Sequence, residues 1–170
     1  MDISPEVENR TRTDAHFETF DGVNIPFEDN SFDLIFCNQV LEHVRFPGKL
    51  MSNIHRVLKP NGYLVGATSQ LEPYHSLSVW NYTPHGFRVL VEEAGLRLKE
   101  IRPGIDAITL ITRTALQKPK FFSRWWQRES PFNKFINLIG FLTRKDNRRI
   151  NFAKLILCGQ FCFIVQKGKN

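Results

Sequence analysis

The sequence predicts an α/β fold: an open, mostly parallel sheet with helices on both faces, forming a single domain over residues 1–170. Three observations carry this. Phe32 to Cys37 is an unbroken apolar run, as expected for a strand buried on both faces. Residues 47–58 place Leu50, Met51, Ile54, Val57 and Leu58 at helical spacing. Lys59-Pro60-Asn61-Gly62 then ends that helix, and Tyr63 to Thr68 reads as a second apolar strand. Strand, helix, turn and strand in that order make a parallel unit. In such sheets ligands sit at the carboxyl ends of the strands, here the polar tip Asn38-Gln39.

The remaining elements follow in order. Ser4 is a helix N-cap, with Pro5 at the first helical position. His16 to Phe20 alternates as a strand does, and a short helix is expected directly after Gln39. Residues 69–83 form a loop rich in aromatic residues. Thr83-Pro84 starts a helix with the stripe Phe87, Leu90, Val91 and Ala94, and Gly95 closes it. Leu96 to Ile101 is a strand, and Gln160 to Gln166 the last one. Between them lies an insertion, residues 113–149. Ser130-Pro131 opens a helix there, with Phe132, Phe135, Ile136, Ile139 and Leu142 on one face. Phe121, Phe122, Trp125 and Trp126 precede it among arginines.

Several pieces together resemble the class I S-adenosylmethionine-dependent methyltransferases, type 11 small-molecule group. They are Asp2-Ile3-Ser4-Pro5-Glu6, Ile25-Pro26-Phe27, Ser31-Phe32-Asp33, Leu41-Glu42-His43, Arg56-Val57-Leu58-Lys59-Pro60, Tyr82-Thr83-Pro84-His85-Gly86-Phe87 and Glu92-Glu93-Ala94-Gly95-Leu96. The resemblance covers residues 2 to about 102 well, 150–167 loosely and 113–149 hardly at all. It implies a Rossmann-like sheet with an antiparallel last strand, and S-adenosylmethionine as cofactor. The family's glycine-rich loop has no counterpart, since no Gly-x-Gly occurs in the sequence. The resemblance therefore implies a sheet lacking its first strand and helix. Weak or absent cofactor binding, unpaired sheet edges and self-association are the consequences expected.

Composition narrows the class. Hydrophobic residues make up 42% and charged residues 24%, the balance of a soluble globular protein rather than a disordered one. Charge is uneven: residues 113–150 hold ten Lys and Arg against Glu129 and Asp146, a net of +8, while residues 1–112 hold 10 Lys and Arg against 15 Asp and Glu, a net of −5. Such a block suits an anionic partner. Cys37, Cys158 and Cys162 form no Cys-x-x-Cys and have no neighbouring histidine, so reduced thiols, a cytoplasmic setting and no metal are expected. The longest apolar stretch, Leu155 to Val165, is too short to span a bilayer.

The resemblance implies the site. Asp2 stands where a carboxylate binds the cofactor's ribose hydroxyls, although a solvated terminal residue is the plainer reading. Asp21 would meet the adenine amino group, with the amide of Gly22 or Val23 donating to a ring nitrogen; Asp-Gly is also a common turn. Asn38 and Gln39 would face the methionine part and the acceptor, or Asn38 would cap a helix. Tyr74, Trp80 and Tyr82 would wall the acceptor pocket, or merely pack the loop. His75 is the general-base candidate and His43 a weaker one, since Glu42 and His43, adjacent on a helix, should point in different directions. The acceptor class is a small molecule, lipid or glycan precursor. The rival reading is a non-catalytic remnant or binding module. The 113–149 block reads as a lid, as a docking surface for an anionic membrane that would place the protein at its periphery, or as a plain cover. Nucleic acid is disfavoured, because no motif accompanies the charge.

Overall fold

The computed structural model describes residues 20–169. The expected helix at Ser4, most of the strand over 16–20 and Asp2 lie outside the described residues. Eleven segments follow: β1 (Phe32–Asn38), a 3-10 turn (Leu41–His43), α1 (Pro47–Val57), β2 (Leu58–Ser69), α2 (Pro84–Glu93), β3 (Leu96–Pro103), α3 (Ala107–Ala115), a 3-10 stretch (Lys120–Trp126), α4 (Pro131–Leu142), α5 (Asn147–Ile156) and β4 (Gln160–Lys167). The sheet order is β1-β2-β4-β3. β1 and β2 are parallel, and β4 runs antiparallel to both β2 and β3, as the resemblance implies.

The strand pair is held at close range. Leu34 faces Tyr63 and Cys37 faces Gly66. A Cβ on Gly66 would lie 1.7 Å from the Cys37 carbonyl oxygen, so only glycine allows this approach. The turn expected at Lys59–Gly62 is absorbed into β2. Pairing passes from Phe32↔Leu58 to Leu34↔Tyr63, two steps along β1 against five along β2. Asn61 takes the left-handed conformation (φ 64°) within that excursion.

One face of the sheet carries the core. Leu50, Met51, Ile54 and Val57 of α1 and Phe87 and Val91 of α2 bury against Leu64, Phe161, Phe163 and Val165. Phe87 meets Phe163 at 4.5 Å between ring centroids. Two of the motifs quoted above clasp each other here: the Arg56 guanidinium donates to the carbonyls of Phe27 (2.7 Å) and Ile25 (2.8 Å) and to Asp29 (2.9 Å). The loop before β1 is thereby stapled to α1.

On the other face, α5 packs on β3 while the β1 side stays bare. Leu34 is 57% and Phe36 72% exposed. Among the described residues β1 pairs with β2 alone.

The insertion is more helical than its sequence suggests. α3, the 3-10 stretch and α5 add to the expected α4, so helical structure runs from residue 107 to 156. Buried Asp106 pins it: its carboxylate accepts from the Thr109 amide (2.7 Å), the Thr109 hydroxyl (2.7 Å) and the Ser130 hydroxyl. One side chain thus caps α3 and ties it to the cap residue of α4.

Candidate functional site at the carboxyl ends of the parallel strands

β1 ends on Asn38 and the chain turns sharply. Gln39 adopts φ 54°, a left-handed backbone that a residue with a Cβ takes up at a cost of about 1 kcal/mol or more. Its amide donates to the Ala67 carbonyl at 2.9 Å, so the turn is fixed by β2. The Gln39 side-chain oxygen accepts from Gln160 Nε2 (3.0 Å), while its Nε2 is buried without a hydrogen-bond partner among the described residues. A buried donor left unpaired costs about 1–3 kcal/mol, and a bound acceptor group would relieve that. Asn38 is exposed and caps nothing; the 3-10 turn starts from Val40 with no side-chain cap.

The short helix expected after Gln39 is only this 3-10 turn, and a second expectation changes with it. Glu42, His43 and His75 do not diverge: their ligand-type atoms all lie within 4.8 Å of one another. The two imidazoles meet edge to face at 5.4 Å. Glu42 is fully buried, accepts from the Thr68 hydroxyl at 3.0 Å, and is held above the usual carboxylate range by burial. His43 Nδ1 is buried and unpartnered among the described residues. Two imidazoles and a carboxylate are the donor set of a zinc site, but bonds of about 2.1 Å at tetrahedral angles need donors roughly 3.4 Å apart. Glu42 already serves Thr68, so the cluster reads as a hydrogen-bonded network.

Glu72, which the sequence reading passed over, joins it. Its carboxylate accepts from Ser69 Oγ (2.7 Å) and Gln160 Nε2 (2.5 Å) and lies 3.7 Å from His75 Nδ1. His75 Nδ1 also lies 3.2 Å from the Pro73 carbonyl. With the proton on Nδ1 donated there, Nε2 keeps its lone pair. A Glu-Pro after a strand end was the only signal of this role in the sequence.

The aromatic loop is anchored to the 3-10 turn by its polar tips. Trp80 Nε1 donates to the Val44 carbonyl (2.9 Å), and the amides of Val79 and Trp80 donate to the Glu42 carbonyl. Tyr82 departs from the expected pocket wall: its ring is buried beside Phe87 and its hydroxyl donates to the Leu41 carbonyl at 3.0 Å. Tyr74 is exposed. Burial pushes the Cys37 and Cys158 thiols up to about 12, which leaves them poor nucleophiles.

A cleft of about 480 Å³ adjoins the cluster, lined by Asp21, Gly22, Val23 and Asn24 on one side and His43 to Phe46 and Lys49 on the other. Its size suits a nucleoside. Gly22 is buried with φ 82°, letting the backbone approach closely. The expected donor role of Val23 meets a competitor: Asp21 Oδ1 accepts the Val23 amide (2.8 Å) and the Asn24 amide (2.6 Å), and these bonds hold its carboxyl below the usual range. Among the described residues Asp21 Oδ2 accepts only from Asn24 Nδ2. One carboxylate oxygen therefore retains acceptor capacity toward an exocyclic amine.

Residues 1–66 match the family model "Methyltransferase domain". The chain is 27% identical over 149 residues to phosphoethanolamine N-methyltransferase 2 of Caenorhabditis elegans, covering 78% of this chain and 34% of that protein. It is 40% identical over 62 residues to a demethylmenaquinone methyltransferase of Renibacterium salmoninarum, covering 36% and 26%. The chain thus spans about a third or less of these relatives' lengths. Among solved structures, a methyltransferase of Methanosarcina mazei superposes with a TM-score of 0.54 at 14% identity, covering 98% of this chain and 74% of that one. The [4+2]-cyclase SpnF superposes with a TM-score of 0.54 at 17% identity, covering 91% and 56%. The matched profile over residues 1–66, the strand order and the motifs that clasp around Arg56 are together similar to those of the class I S-adenosylmethionine-dependent methyltransferases, type 11 group.

Proposed function

We propose that this chain serves S-adenosylmethionine-dependent methyl transfer to a small-molecule, lipid or glycan-precursor acceptor at the carboxyl ends of β1 and β2. The observation that carries the reading is Gln39. It holds a strained backbone and a buried side-chain nitrogen without a partner among the described residues, and it is linked through Gln160 and Glu72 to His75, at the place where open sheets bind ligands. Asp21, Gly22 and Val23 line a cleft that suits the nucleoside end of the cofactor. When bound, S-adenosylmethionine supplies an electrophilic methyl group on a sulfonium, so positioning and exclusion of water dominate what is asked of the protein. Gln39 Nε2 orients a bound carbonyl or hydroxyl oxygen. His75 Nε2 accepts the proton an oxygen or nitrogen acceptor gives up, and Glu72, 3.7 Å from Nδ1, stabilises the resulting imidazolium. Tyr74 and Trp80 wall the acceptor side, whereas Tyr82 supports the turn from the core.

A binding module without catalysis is the second reading. It is favoured by the two amides that occupy Asp21 Oδ1. The structural relative titled a [4+2]-cyclase is a reminder that this fold is not tied to one reaction. Calorimetric titration of S-adenosylmethionine into the chain separates the two. Methyl transfer predicts weak but saturable heat that disappears in Asp21→Ala and is retained in His75→Gln, which would lose turnover instead. No saturable heat at millimolar cofactor would leave the binding module. Micromolar affinity indifferent to Asp21 would move the cofactor to another site.

A further inference from the structure

Helix α4 is inside out. Its two asparagines face the protein: Asn133 is buried and donates to the Gly104 carbonyl (3.2 Å), and Asn137 donates to Glu129 (2.7 Å). Its buried Gly140 lies against Ile150 of α5, where a Cβ would come within 2.5 Å. The apolar residues Phe135, Leu138, Ile139, Phe141 and Leu142 are all exposed, Phe141 at 75% and Leu142 at 69%. At 100° per residue they span an arc of about 160°, a continuous stripe facing outward. On α5, Phe152 and Ile156 are exposed as well.

Cations border that stripe. Lys134 lies within it, and Arg144, Lys145, Arg148 and Arg149 gather where α4 turns into α5; all five are exposed. The acids nearby are engaged. Asp146 caps α5 through the Arg149 amide (2.8 Å), and Glu129 pairs with Lys154. An apolar stripe rimmed by net positive charge, in which Arg149 Nε lies 4.0 Å from the Asp146 carboxylate, matches an anionic lipid surface, where acyl chains meet the one and headgroups the other. A second copy of this chain would bring the same positive charge against it and be repelled. Nucleic acid would leave the apolar stripe in water. No helix among the described residues is long and apolar enough to cross a membrane, so the hairpin would lie in the interface rather than span it.

We propose that the α4–α5 hairpin docks this protein on anionic membrane surfaces. The inference stands apart from the methyl-transfer reading and is tested without activity. The purified chain is sedimented with phosphatidylcholine vesicles and with vesicles that also carry phosphatidylserine. Binding should be stronger on the anionic vesicles by more than about tenfold and should fall with salt. Phe141→Ser combined with Leu142→Ser should weaken it on both lipids. Arg148→Glu combined with Arg149→Glu should weaken it more than about tenfold on anionic vesicles alone. Phe36→Ser, which removes an equally exposed aromatic from the sheet edge, should change nothing. Circular dichroism melts check that each variant folds; where one does not, the lipid-charge and salt dependence of the unaltered chain decides. Equal, negligible binding to both vesicles overturns the proposal. So does an effect of Phe36→Ser matching that of the Phe141 and Leu142 pair, which would mean unspecific adsorption. Displacement from vesicles by a single-stranded oligonucleotide would assign the basic surface to nucleic acid instead.

Discussion

Helices α1 and α4 look alike in sequence and behave as opposites. Both begin with proline, both run three turns or so, and both carry apolar residues at helical spacing. α1 buries its stripe completely under the sheet, whereas α4 buries Asn133 and Gly140 and turns its stripe to the outside. Periodicity establishes that a helix has two faces. Which face the fold uses depends on what the rest of the chain offers. α1 finds a bare apolar sheet face; α4 finds backbone carbonyls near Gly104 and a helix to pack on.

The largest contrast should appear in stability. Ile54→Ala in α1 removes fully packed atoms and should cost about 2–5 kcal/mol. Leu138→Ala in α4 should stay within about 0.5 kcal/mol. Urea unfolding of both variants checks this, and a comparable loss from Leu138→Ala would mean that α4's outer face is covered in solution. A smaller effect is expected at the joint between the two regions. Asp106→Ala strips the caps of α3 and the tie to Ser130, for a loss of about 2 kcal/mol. Limited proteolysis should then cut within residues 107–157 while the sheet half persists. Simultaneous loss of both halves would show them to be one cooperative unit. The smallest effect is the pH response of α1's flank. Burial, with the Lys167 ammonium nearby, holds the His55 imidazole below its usual 6.5. The unfolded chain therefore takes up this proton first. Its contribution to stability is constant above 6.5 and is lost as pH falls toward the folded value. Subtracting the urea stability of His55→Gln from that of the unaltered chain at several pH values should isolate this loss. A difference that grows as pH falls below 6.5 instead would reverse the sign and refute the assignment.

Much of the sheet half was readable from residue order alone. Phe32–Cys37, the 47–58 stripe and the 84–94 helix appear within a residue or two of expectation, because local signals and burial agree there. The site was readable only in part. Gln39 and His75 were singled out by position, but Glu72 and Gln160 come from a loop and a distant strand, and no local pattern links them. Glu42 and His43 were expected to diverge as neighbours on a helix, and the loop that carries His75 folds back so that the ligand-type atoms of all three meet.

By itself the sequence determined the element types, the parallel pair and its polar tip, the family motifs and the basic block, because each is written in spacing, turn residues or charge along a few consecutive positions. Only the tertiary structure decided that Tyr82 belongs to the core, that Glu72 stands behind His75, and that α4 shows its apolar stripe to the outside. Those outcomes depend on which distant segments meet, and burial is a competition among all the surfaces of the chain that no single segment records.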